Sequence, residues 1–123
     1  MMTDTRLWRT LWIIATTSVA IVIAILTLSA PGQMPTGFQM SDKFYHASAF
    51  AALVLPTAIL WRTRLKPIAI GAVTYGVLIE LVQPYMGRTA EVGDIVANIV
   101  GVGLASLVGA IAAIAAGIRL KLC

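Results

Sequence analysis

Charge is what this sequence has least of. Asp, Glu, Lys and Arg make up 11% of its 123 residues, against about 25% in a typical soluble domain. So few charged groups cannot clothe a water-exposed globule of this size. A disordered chain, which is polar and charged, is excluded on the same ground. Cysteine is nearly absent as well. The lone Cys123 rules out a disulfide framework and a multi-cysteine metal site, and it reads as incidental. Nucleophile motifs, phosphate loops, soluble-type repeats and long low-complexity segments are all missing. What fills the space is apolar: 59% of the chain. That balance indicates one integral membrane domain over residues 1–123. The formal charge of +4 then marks membrane orientation and contact with anionic lipid, and no nucleic-acid partner is needed to explain it.

Charge spacing divides the chain into spans. Residues 10–41 and 44–61 carry no Asp, Glu, Lys or Arg; 67–87 carry only Glu80; 95–118 carry none. A bilayer core takes about 20 helical residues. The pattern predicts an all-α protein, a bundle of four transmembrane helices at about 9–29, 43–61, 67–84 and 95–118. The apolar core of the first span is too long for a signal-peptide h-region, so it is read as a retained anchor. Pro31-Gly32 should end the first helix and Ser41 or Asp42 cap the second. Pro67 suits a first helical position in the third, Pro84 should end or bend it, and Asp94 can cap the fourth. Pro56 falls inside the second helix, where a kink is expected.

Basic residues fall on alternate sides of these spans. Arg6, Arg9, Arg62, Arg64, Lys66, Arg119 and Lys121 lie on one side, and only Lys43 and Arg88 on the other. The positive-inside rule places both termini and the middle loop in the cytoplasm. Trp8, Trp12 and Trp61 then fall at the cytoplasmic interface, where indole rings favour the headgroup layer.

In the fourth span Ala97, Gly101, Ala105, Gly109, Ala113 and Gly117 recur at every fourth residue. Such a ridge lets another helix backbone approach closely. Its partner is either another helix of this chain or a second copy, giving a homo-oligomer.

The remaining polar residues form a second pattern. Asp42, Lys43, His46, Glu80, Gln83, Arg88, Glu91, Asp94 and Asn98 all fall at the expected outer ends of helices two to four. At about 1.5 Å rise per residue, His46 lies about 6 Å deeper than Asp42, and Asn98 about 6 Å deeper than Asp94. Glu80 lies about 4.5 Å deeper than Gln83. Asp42 and His46, Glu80 and Gln83, and Asp94 and Asn98 are each three or four residues apart, so each pair shares a helix face. An ionisable group inside a span faces the protein interior or a wet cavity, and is a functional candidate by default.

The ordered series Asp42-Lys43-x-x-His46-x-x-x-Phe50, Glu80-x-x-Gln83, then Arg88, Asp94, Asn98 and Gly101 resembles the VanZ-like family of small bacterial membrane proteins. The resemblance runs from about Asp42 to Gly101. It implies a cytoplasmic-membrane protein of about four spans, associated through the family's name-giving member with low-level resistance to the glycopeptide teicoplanin. The family has no established reaction, so the resemblance implies a site more than an activity.

His46 and Glu80 are the candidate catalytic pair. His46 either shuttles a proton or makes a structural hydrogen bond to Glu80 or Asn98. Glu80 serves as a general acid/base or a proton or cation site, or else belongs to a buried ion pair that fixes packing. Lys43 and Arg88 are candidate anion holders, aided by the positive ends of helices two and four, or else they snorkel or pair with Glu91. Asp42 and Asp94 are caps that also line the site, and Gln83 and Asn98 are orienting hydrogen-bonders. The outer set holds four acids and two bases. That balance would also suit an amine or a metal ion: His46, Glu80, Asp42 and Asp94 have ligand chemistry, yet no recognised metal spacing joins them, so a metal stays an alternative, none is assigned, and no cofactor is expected. Three functions fit the pattern. The first binds a cell-envelope ligand, such as a lipid-linked precursor or an amphiphilic antibiotic, with membrane lipids as the surrounding partners. The second is an intramembrane hydrolase or transferase acting on a lipid head group. The third is a proton-coupled transporter.

Overall fold

The computed structural model describes residues 5–29 and 42–117. Within them the order is α1 (Thr5–Leu28), α2 (Asp42–Leu60), a 3-10 turn (Arg62–Arg64), α3 (Leu65–Val82), a second 3-10 turn (Gln83–Met86) and α4 (Val92–Ala115). No strand occurs among the described residues. Four helical stretches, Thr5–Leu28, Asp42–Leu60, Arg62–Met86 and Val92–Ala115, are long and apolar enough to cross a membrane. The chain thus has the build of a multi-pass membrane protein. Pro31-Gly32, Ser41, Arg119, Lys121 and Cys123 lie outside the described residues.

Boundaries move by a few residues from those expected, for local reasons. Helix α3 begins at Leu65, which puts Pro67 at its third position. The amides of the first turn have no intrahelical acceptor, so the missing N–H costs nothing there. Pro84 does end α3: the helix stops at Val82, tightens into the 3-10 turn, and closes on Gly87 at φ 76°. A left-handed residue at that position favours glycine. Helix α2 runs through Pro56 without a break in its assignment. Asp94 is not the cap of α4. That place belongs to Glu91, with extended backbone, and the Asp94 amide donates to the Glu91 carbonyl.

The helices alternate in direction, so α2 and α4 run parallel and form the most extensive contact. Backbone approach is the reason. A Cβ at Gly101 would run into the Ala47 carbonyl, and one at Gly109 would lie 2.6 Å from both the Ala58 Cβ and its carbonyl oxygen. The small-residue ridge of α4 is therefore filled by α2, with Ala97, Gly101, Ala105, Gly109 and Ala113 buried. A second copy on this ridge would have to displace α2. Gly117 falls beyond the helix and is exposed.

Ile23, Phe50, Leu53, Val54, Ala72, Ile79, Val102 and Ala105 form the apolar core. Large apolar side chains also face outward on every helix, among them Ile14, Ile25, Ile59, Ile70, Leu81, Leu107 and Ile114. An outer surface this apolar suits acyl chains rather than water. At one end Trp12 donates from Nε1 to the Thr57 hydroxyl at 2.8 Å and meets Trp61 edge-on, while Arg64 stacks over Trp61. That is the Trp61 end; the polar residues gather at the opposite, His46 end.

Candidate functional site

Three helices and one loop build the His46 end. His46 sits on the second turn of α2, Glu80 near the end of α3, and Asp94 and Asn98 on the first two turns of α4. All are withdrawn from the surface: His46 is 5% exposed, Glu80 2%, Asp94 6% and Asn98 1%. Glu80 faces the protein interior, as an ionisable group at this depth must.

The imidazole bridges one turn of α4. Nδ1 lies 3.0 Å from Asn98 Oδ1, while Nε2 lies 3.7 Å from Asp94 Oδ2 and 3.9 Å from Glu80 Oε1. The i, i+4 spacing of Asp94 and Asn98 thus sets the two walls between which the ring is held. Glu80 is fixed from the other side, where Oε2 accepts the Glu91 amide at 3.1 Å. One ligand-type atom from each of His46, Glu80 and Asp94 falls within 4.8 Å of the others.

The close packing has backbone causes. Gly76 leaves room for the Asn98 amide and the Phe50 ring; a Cβ there would lie 2.6 Å from Asn98 Nδ2. Gly93 does the same for the Lys43 stem. Neither glycine was singled out in the sequence, because both act by lacking a side chain.

The outer polar residues divide into those that join the cluster and those that do not. Asp42 is exposed at the first position of α2 and is not gathered with His46. Lys43 forms an exposed ion pair with Glu91 at 2.9 Å and stands 3.9 Å from Asp94 Oδ1. Arg88 donates to the Ser29 carbonyl at 3.3 Å, just past the end of α1, where the helix dipole favours a cation. Gln83 is buried and donates to the Thr27 carbonyl at 3.1 Å. The two basic residues expected to hold an anion are therefore each engaged with an acceptor of the protein itself. Glu91 is the member that side-chain reasoning undervalued. Its backbone amide orients Glu80 and its carboxylate holds Lys43, and the first of these roles is invisible in a residue type.

Hydrogen bonding at this end is incomplete. Glu80 Oε1, Gln83 Oε1, Asp94 Oδ1 and Asn98 Nδ2 are buried without a hydrogen-bond partner; elsewhere among the described residues only Thr16 Oγ1 shares that condition. A buried polar atom left unpaired costs on the order of 1–3 kcal/mol, so four together call for an explanation. A groove of about 680 Å³ opens at the Trp61 end, lined by Arg6, Trp8, Arg9, Trp12, Leu60 and Trp61 among others. It lies at the far end of the bundle from the cluster and takes no part in it. Comparison with family models, with curated proteins and with solved structures found no match to this chain.

Proposed function

We propose that this chain is a VanZ-like protein of the bacterial cytoplasmic membrane, and that its polar cluster binds the head of a cell-envelope amphiphile. The amphiphile is a lipid-linked precursor or a glycopeptide of the teicoplanin type. The observation that carries this reading is the convergence of His46, Glu80, Asp94 and Asn98 from two spans and the start of a third, with donor and acceptor atoms left unpaired. Burial without satisfaction is expected where a ligand completes the bonding. Basic residues concentrated beyond the Trp61 end support a cytoplasmic location for it, which would turn the cluster outward. The ordered residue series from Asp42 to Gly101 supports the family assignment.

The test is a tolerance assay in a susceptible Gram-positive host. Cells making the wild-type chain are expected to tolerate more teicoplanin than cells without it. Glu80→Gln and Asn98→Ala should reduce tolerance to the level of the empty host, with each protein still present in the membrane at wild-type amount. Wild-type tolerance from both variants would end this reading.

A second reading, an intramembrane hydrolase or transferase, is favoured by one arrangement: an imidazole nitrogen facing two buried carboxylates is suited to moving a proton. It requires turnover. Purified protein in detergent should release a head group from one member of a labelled lipid panel, and Glu80→Gln should stop it. A folded wild-type protein inert toward the whole panel counts against it. Proton-coupled transport is less well supported. Immediately below the cluster lie Phe50, Val54, Val102 and Ala105, an apolar layer that offers a proton no polar route.

A further inference from the structure

Three atoms able to donate an electron pair face one another at the centre of the cluster: His46 Nε2, Glu80 Oε1 and Asp94 Oδ2. The ring nitrogen Nδ1 is turned to a carbonyl-type oxygen, Asn98 Oδ1 at 3.0 Å. An acceptor there places a ring hydrogen on Nδ1, and in the neutral ring the lone pair of Nε2 then points at Glu80 Oε1 and Asp94 Oδ2. Two carboxylate oxygens and a bare nitrogen repel one another unless something positive lies between them. Lys43 does not supply it: its ammonium is drawn to Glu91 at 2.9 Å and reaches Asp94 only at 3.9 Å, from the exposed side. Arg88 is committed to the Ser29 carbonyl.

We infer that His46, Glu80 and Asp94 form a binding site for one divalent transition-metal ion, with zinc the best fit among the common ions. The donor set is the first argument. One imidazole and two carboxylates suit zinc or its first-row neighbours, whereas calcium and magnesium take shells of oxygen. Charge is the second, since one dication balances two carboxylates beside a neutral imidazole. Distance is the third. Ligand atoms around a tetrahedral zinc with bonds of about 2.0–2.2 Å stand about 3.3–3.6 Å apart. The present separations of 3.7 and 3.9 Å, and none above 4.8 Å, reach that spacing once each pair shortens by about 1.5 Å or less.

The surrounding shell is already of the kind that holds a metal ligand in place. A ligating histidine typically gives its other ring N–H to an oxygen, which fixes the tautomer and the ring. Asn98 accepts that bond, and the Glu91 amide holds Glu80 through Oε2 while Oε1 stays unpaired. Asp94 turns Oδ2 toward the ring, while its Oδ1 faces Lys43 at 3.9 Å without a hydrogen bond. Three protein ligands leave a fourth position open, as in zinc sites that bind a further molecule. The inference does not require the envelope ligand. Zinc uptake is read on purified protein and tolerance is read in cells, so either result stands without the other.

The experiment uses the full chain in detergent micelles, stripped of metal, equilibrated with zinc chloride and desalted. Elemental analysis is expected to find one zinc per chain, and competition with a fluorescent chelator to give its affinity. The shape-conserving variants Glu80→Gln and Asp94→Asn, and His46→Gln, should each weaken binding by at least about 10-fold. Asn98→Ala, which removes no ligand, should weaken it by about 10–100-fold through loss of ring orientation. X-ray absorption on the wild-type protein should show a nitrogen and oxygen shell that includes one imidazole, and this readout is independent of how the variants fold. Three results would overturn the site: a stripped wild-type chain that takes up no more zinc than the Asp94→Asn variant, an affinity equal in wild type and in both carboxylate variants, or a zinc shell containing sulfur.

Discussion

Gly101→Ala is expected to unfold the bundle or leave it severely destabilised, by about 3 kcal/mol or more. Overpacking a tight interface costs about 1–3 kcal/mol when side chains can adjust. Here the new methyl would meet the Ala47 backbone carbonyl, which has no rotamer to change. Relief requires α2 and α4 to separate, and their contact is the most extensive among the described helices. Lipid-embedded helices have little hydrophobic drive to rejoin, so a lost fit is not recovered by burial. Gly103→Ala is the matched control, because open space surrounds a Cβ there. Denaturation of both variants in mixed micelles measures the difference. A Gly101→Ala protein as stable as Gly103→Ala would show that the close approach of α2 and α4 is not required.

The second large effect concerns the cluster. His46→Ala should destabilise the protein by about 2–5 kcal/mol, because it empties a buried side-chain site and removes the hydrogen-bond partner of a buried amide oxygen. It leaves Glu80 and Asp94 facing each other, both nearly inaccessible to solvent, and orphans the Asn98 carbonyl-type oxygen. Adding Glu80→Gln to His46→Ala removes one of the two like charges and should restore part of the loss. Residues in one network couple by about 0.5–3 kcal/mol, and a double-mutant cycle on unfolding free energies reads that coupling. Strictly additive effects would mean that the imidazole does not mediate between the two carboxylates.

Much of this was legible in the sequence because membrane helices announce themselves. Four charge-poor stretches gave the four helices, since a charge in a span is expensive and the spans must be long enough to cross. The i, i+4 spacing of Asp94 and Asn98 correctly put both on one face, and both meet the same ring. The same reasoning applied to Asp42 and His46 was incomplete. Spacing gives the face of a helix but not how far along that face its neighbours reach, and Asp42 stays exposed one turn above the packed layer. Lys43 and Arg88 could not be assigned from residue type, because their acceptors are a distant carboxylate and a main-chain carbonyl. The partner of the small-residue ridge was open for a related reason: a groove in one helix does not say which helix fills it, and here it is α2.

Helix α1 meets the His46 end in an unusual way. Gln83 reaches the carbonyl of Thr27 and Arg88 that of Ser29, while farther down Tyr75 reaches the carbonyl of Ala20. In each case the third helix or the loop after it supplies the side chain and the first supplies only peptide oxygen. Any residue that keeps the helical path presents the same oxygen, so these three hydrogen bonds do not depend on the side chains at positions 20, 27 and 29. The first helix is held at this end through its peptide backbone, so exchanging the side chains at positions 27 and 29 while keeping the buried Ile23 should leave these hydrogen bonds intact.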